Sequence, residues 1–132
     1  MLLTLRPLAL DDTAAVHDWA RLPESCRYQA WGPNTYEQTQ AYVRAAVAAP
    51  PDRLVFGVLL DGEVVGSAEL KLHGPSIAEI GYAIHPRRWG QGIATAAVLR
   101  RIGMRYEGRM RGTAHIRDGW RDSDLYAVLA DD

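Results

Sequence analysis

Hydrophobic positions along the chain fall into short blocks separated by glycine, proline and charged turns, and the period within each block predicts its element. Leu2-Leu3-Thr4-Leu5-Arg6 reads as a short strand stopped at Pro7. Asp11 or Asp12 then caps a helix to about Ala20, with Val16 and Trp19 on its inner face and Pro23 beyond its end. Glu24 to Asn34 has no clear period. Thr35-Tyr36-Glu37-Gln38 is a capping box, so a helix starts there and runs to about Ala48, before Pro50-Pro51. Arg53 to Leu60 is apolar at almost every position, as expected of a strand covered on both faces. Asp61-Gly62 is a two-residue hairpin turn that returns the chain as Glu63 to Leu72, and His73-Gly74-Pro75-Ser76 turns it again. In Ala78 to His85 the period is two, with Ile80, Tyr82 and Ile84 on one face and Glu79, Gly81, Ala83 and His85 on the other. Residues 53–86 thus predict a three-stranded antiparallel meander.

Beyond His85-Pro86 the pattern changes. Ile93 to Arg101 has the alanine, leucine and arginine content of a helix, with Gly103 as its C-terminal cap. Thr113 to Arg117 and Trp120 to Leu129 form a second hairpin about Asp118-Gly119. The result is an α+β fold: a mixed, mostly antiparallel central sheet of about six strands, with helices on both faces. A chain of 132 residues, 48% hydrophobic and 23% charged, is expected to be one domain, 1–132, with a substantial core. Its apolar runs are too short to span a bilayer, and its first residues lack a signal-peptide layout. One cysteine, Cys26, cannot form an internal disulfide, which suits a cytoplasmic location; nothing beside it in sequence activates it, so an inert thiol is expected. His17, without a partner in view, reads as a surface histidine.

A net charge of −1 conceals an asymmetry. Residues 1–86 carry six basic and ten acidic side chains, whereas residues 87–132 carry nine arginines and six acids. The basic half begins at Arg87-Arg88-Trp89-Gly90-Gln91-Gly92, a glycine turn between a strand and a helix N-terminus. Glycines allow close backbone approach, successive amides point into such a loop, and the helix dipole favours an anion. A polyanionic cofactor fits this patch better than nucleic acid, because no interleaved aromatics or nucleic-acid motif accompany it. A dinucleotide-binding fold fits less well: the loop follows an antiparallel meander rather than a first parallel strand. No group of His, Cys or carboxylates has metal-ligand spacing, so no metal is expected.

Arg87-x-x-Gly90-x-Gly92, directly after an apolar strand ending in His85-Pro86, resembles the acetyl-CoA signature of the GNAT superfamily of N-acyltransferases. Tyr82, Pro86 and Trp89-Gly90-Gln91-Gly92-Ile93-Ala94-Thr95 are similar to its ribosomal-protein N-terminal acetyltransferase branch, as are Leu5-Arg6-Pro7-Leu8, Gly57 to Leu70, Val98 to Gly108 and Trp120 to Ser123. The resemblance implies direct acetyl transfer from acetyl-CoA, as co-substrate, to a primary amine on a protein N-terminus or a small molecule. It implies no nucleic-acid or membrane partner and is compatible with a homodimer. Ile84, His85, Arg87, Arg88, Trp89, Gly90, Gln91, Gly92, Ile93, Ala94 and Thr95 would hold the cofactor, with the amide of Ile84 or His85 stabilising the oxyanion. Glu79 ranks first as base, then Glu69, then His85. Thr95 is the candidate acid and Tyr126 a more remote one; Trp31 and Tyr126 would touch the acceptor.

The chain departs from the family pattern in one place. Gly92-Ile93-Ala94-Thr95 runs almost directly into Val98-Leu99-Arg100-Arg101, so the end of the cofactor helix, a strand and the start of the next helix are expected to be missing. Three accounts stay open: a natural truncation that weakens or abolishes catalysis, as in a domain that binds acyl-CoA without transfer, a partner chain that supplies the strand, or a segment absent from the chain, with a break between Ala94 and Val98.

Overall fold

The computed structural model describes residues 2–27, 29–75, 77–90, 103–116 and 119–128. Strand β1 (Leu3–Pro7) is followed by a 3-10 turn at Leu10–Asp12, helix α1 (Thr13–Ala20) and a single-turn helix α2 (Pro23–Cys26). Helix α3 (Tyr36–Val47) precedes the meander β2 (Arg53–Leu60), β3 (Glu63–Leu72) and β4 (Ala78–Ile84). Strands β5 (Arg105–Ile116) and β6 (Gly119–Ala127) close the described chain. All pairings are antiparallel, in the order β1-β2-β3-β4, with β5-β6 as a second sheet. The six expected strands are therefore divided four and two.

Local chemistry explains the meander. Asp61 and Gly62 both have positive φ, 51° and 84°, as a type I′ turn requires. Val58 and Leu60 enter a core with Leu3, Val65, Ala68 and Ile84, while Val55 enters a second core with Val16, Trp19 and Val43 of α1 and α3. Strand β2 is thus buried on both faces by simple alternation, while the register shift at Val58/Leu59 leaves Val65 of β3 as the extra residue, so that Val65 and Ala68 both enter the first core. The helix expected over Ile93–Arg101, needed for the second face, lies outside the described residues. Gly103 adopts φ 86°, the left-handed conformation expected of it. No described helix is long and apolar enough to cross a membrane.

Three expectations change. Strand β5 begins at Arg105 rather than Thr113, pairing Arg105 with Ala127 and Tyr106 with Tyr126; Tyr106, Met110 and Leu125 are exposed, so no apolar-in, polar-out alternation marks it. His17 has a partner after all: Nδ1 lies 2.9 Å from Oγ1 of the fully buried Thr39, and Tyr36 packs edge-on against its ring. Asp12 precedes α1 but does not cap it through its side chain. Its carboxylate instead takes two hydrogen bonds from Arg6, at 2.8 and 2.9 Å, and one from the Ala9 amide at 2.8 Å.

The Arg6 hydrogen bond holds the Asp12 carboxyl below the usual carboxylate range, against the opposing effect of burial. A depressed folded-state pKa contributes stability that is present above the unfolded value, about 3.9, and is lost as pH falls through the folded one. Asp12→Ala is expected to cost about 2 kcal/mol, since it leaves the half-exposed Arg6 and the Ala9 amide without their acceptor. Thermal melts at pH 7 should show a drop of roughly 8 °C, shrinking progressively as pH falls below about 3.9 and through the depressed folded-state value. An undiminished difference at low pH would remove the ion pair from the explanation.

Candidate active site

Between the helices and the sheet lies a cavity of about 410 Å³. Its floor is Ser67 and Glu69 of β3 with Gly81, Tyr82 and Ala83 of β4; its walls are Val16, Trp19 and Ala20 of α1 and Gln38 and Tyr42 of α3. Gln29, Trp31 and Asn34 close it from the loop after α2. That loop is tied down at several points. The Asn34 amide donates to Ala20 O at 2.8 Å, Gln29 Nε2 to Tyr82 O at 3.3 Å, and Cys26, buried, lies with Sγ 3.4 Å from Leu22 O. Gly32 runs so close to the Cys26 sulfur that any side chain there would overlap it.

Glu69 is held by Arg53, which donates through Nε at 2.7 Å and Nη2 at 3.2 Å. Burial pushes the Tyr42 phenol up, with a Ser67 hydrogen bond opposing, so it stays protonated at neutral pH. Glu79, by contrast, is 71% exposed, bonds His73 Nε2 at 2.9 Å and is not among the cavity residues. Register explains the separation: Glu69 faces Gly81, whereas Glu79 faces Lys71, two residues further toward the strand's outer end.

The other end of β4 carries the backbone groups of interest. The His85 amide donates to Val65 O at 2.7 Å. In an antiparallel ladder this places the amides of Gly81 and Ala83 toward β3, and those of Tyr82 and Ile84 toward the opposite edge. Trp89 Nε1 donating to Ile84 O at 2.9 Å agrees with that alternation. Of the two amides expected to meet an oxyanion, that of His85 is engaged by Val65 and that of Ile84 points away from β3.

Past the strand, His85, 7% exposed, organises a 3-10 turn over Pro86–Arg88. Its Nδ1 accepts from the Arg87 amide at 3.1 Å, so Nε2 carries the proton and donates to Asp18 Oδ2 at 2.9 Å. Arg87 Nη2 meets the same oxygen at 2.9 Å. Burial pushes the Asp18 carboxyl up, but His85 and Arg87 outweigh it and hold it below the usual range. The Arg88 amide bonds His85 O and that of Trp89 bonds Pro86 O, at 2.8 and 3.1 Å. The amides of residues 87–89 are therefore taken by the protein's own acceptors rather than offered to a ligand. Gly90, at φ 79° with open space where a side chain would stand, is the one described residue of the turn left to line an anion site with backbone. The Arg88 side chain reaches Glu63 at 3.4 Å.

Gln91, Gly92, Ile93, Ala94 and Thr95, and the junction to Val98, lie outside the described residues, as does the side chain of Tyr126. Trp31 lines the cavity and also packs against the core of α1 and α3. Gln29, Tyr42, Ser67 and Gly81 went unmarked by sequence; Tyr42 sits beside Val43 on the inner side of α3, whereas Gln29 reaches across 53 positions and leaves no local signal. No group of three or more potential metal ligands occurs among the described residues.

The sequence matches the acetyltransferase (GNAT) domain over residues 3–108. No curated protein matches it significantly. Among solved structures it is similar to a GNAT-family acetyltransferase from Bacillus anthracis, with TM-score 0.75 and 24% identity over 100% of this chain and 97% of that one. Mycobacterium smegmatis RimJ, in complex with CoA-disulfide, gives TM-score 0.65 and 26% identity over 98% of this chain and 82% of that one. A Salmonella typhimurium acetyltransferase that modifies the N-terminal serine of ribosomal protein L7/L12 gives TM-score 0.67 and 20% identity, covering 98% and 95%. With the domain match spanning most of its residues and these structures sharing its fold, the chain belongs to the GNAT acetyltransferase family.

Proposed function

We propose that the protein transfers an acetyl group from acetyl-CoA to a primary amine by direct attack, with Glu69 as the base. The observation that carries this reading is the placement of one carboxylate, Glu69, in an aromatic cavity whose floor is formed by strands β3 and β4. An amine reaches the cavity as an ammonium of pKa about 8–10 and must lose a proton before it can attack. Glu69 is the carboxylate on hand in the cavity, and it takes the role for which the family resemblance ranked Glu79 first and Glu69 second. The edge-facing amide of Ile84 is the donor for the developing oxyanion.

Acetyl-CoA supplies the activated thioester when bound. Arg87, Arg88 and the open Gly90 turn are the described groups that would meet its phosphates, and the CoA bound to the RimJ relative supports that assignment. With the amides of residues 87–89 engaged, the pyrophosphate falls to Gly90 and the residues after it. A second reading, an acyl-CoA-binding domain without catalysis, is favoured by the separation of β5 and β6 from the main sheet.

Calorimetry with acetyl-CoA, followed by thiol release with a panel of primary amines, tests both. Binding with amine-dependent thiol release is the expected result. Binding without release under every amine would leave the non-catalytic reading, and no binding would overturn both.

A further inference from the structure

We infer that the acceptor is a primary amine with a single positive charge and an apolar or aromatic body, and that Gly81, facing Glu69 across β3 and β4, sets the size of body admitted. The inference rests on the transferase reading for the identity of the site and goes beyond it in naming the acceptor class.

Charge is the first argument. Among the described residues of the cavity, Glu69 is the one with a formal charge, and its carboxylate is already shared with Arg53. An ammonium at Glu69 meets one anion. A second or third ammonium on the same ligand would lie against Trp19, Trp31 and Tyr42 without a counter-charge, and a desolvated, unpaired charge is strongly disfavoured. The same rings suit the alkyl or aryl body of a monoamine.

Space is the second argument. Gly81 and Glu69 are Cα partners, and Ser67 and Ala83 line the cavity from the same face. A Cβ built on Gly81 meets nothing within 4 Å. The glycine therefore leaves the wall open beside the carboxylate, and a larger side chain would occupy acceptor space without displacing backbone.

The test uses the full chain and three probes: 2-phenylethylamine, ethylamine and spermidine. Dissociation constants from calorimetry are measured beside thiol release with acetyl-CoA. The wild type should favour 2-phenylethylamine over spermidine by about tenfold or more, and Gly81→Leu should weaken 2-phenylethylamine by at least about threefold more than it weakens ethylamine. Gly81→Val supplies a smaller step should the leucine variant melt early. Equal or tighter binding of spermidine, an unaffected 2-phenylethylamine in both variants, or binding of none of the three would overturn the inference. Selective binding without thiol release would sink the catalytic reading and leave the acceptor class standing; thiol release with the preference inverted would do the reverse.

Discussion

Glu69→Gln should lower kcat/KM for amine acetylation by about 10²–10³-fold at neutral pH, the loss expected when a positioned general base is removed. Glutamine keeps the length and hydrogen-bonding capacity of the side chain, so Arg53 retains an acceptor; with the pair at 24% and 31% side-chain exposure, the stability cost should stay under about 1 kcal/mol. The defect should fall mainly on kcat if Glu69 moves the proton, and mainly on KM if it only attracts the ammonium. It should also shrink as pH rises toward the amine's own pKa, about 10 for an alkylamine, where free base is present without help. Glu79→Gln is the matched control. That side chain faces solvent and His73, and its removal should change kcat/KM by less than about threefold. A large loss in the Glu79 variant with little in the Glu69 variant would return the proton path to the outer end of β4.

The comparison between these two glutamates also marks what sequence could supply. Both lie at alternating positions of adjacent strands and on the same face, so period alone cannot separate them. Register does, and the register of β3 with β4 is fixed where the His73 amide bonds Ile77 O at 2.7 Å. Elements specified by local chemistry were legible: the Thr35–Gln38 capping box closes reciprocally at 2.9 and 3.2 Å, and β2 and β3 keep the boundaries their apolar runs predict. Contacts specified at long range were not. Asp12 turns back to Arg6 because a bidentate guanidinium is a stronger donor than a helix amide. His17 finds Thr39 only once α1 and α3 are packed. The glycine turn was recognisable as a motif, but the use of its first amides was not. His85 binds the Arg87 amide through its ring and the Arg88 amide through its carbonyl, a geometry no spacing rule contains.

Gly66→Ala should be the most damaging single-methyl change in the sheet, costing about 3 kcal/mol and lowering activity even where the variant remains folded. Gly66 pairs with Ile84 across β3 and β4. A Cβ at Gly66 would overlap the carbonyl oxygen of Ala83 and stand 2.7 Å from Ile84 Cδ1 and 3.3 Å from Ile84 Cα. Two of these three atoms are backbone, so relief requires β4 to move rather than a side chain to rotate. The movement falls on Ile84, whose amide is the proposed oxyanion donor, and a displacement of a few tenths of an ångström there degrades a hydrogen bond needed only in the transition state. kcat should therefore fall more than amine affinity does. Gly81→Ala, one methyl added to the facing strand where nothing lies within 4 Å, should leave the melting temperature unchanged. Thermal melts and amine titrations of the two variants side by side decide the matter: similar melting temperatures for both would show that β3 and β4 can separate freely at Ile84, and the account of how this strand is held would then fail.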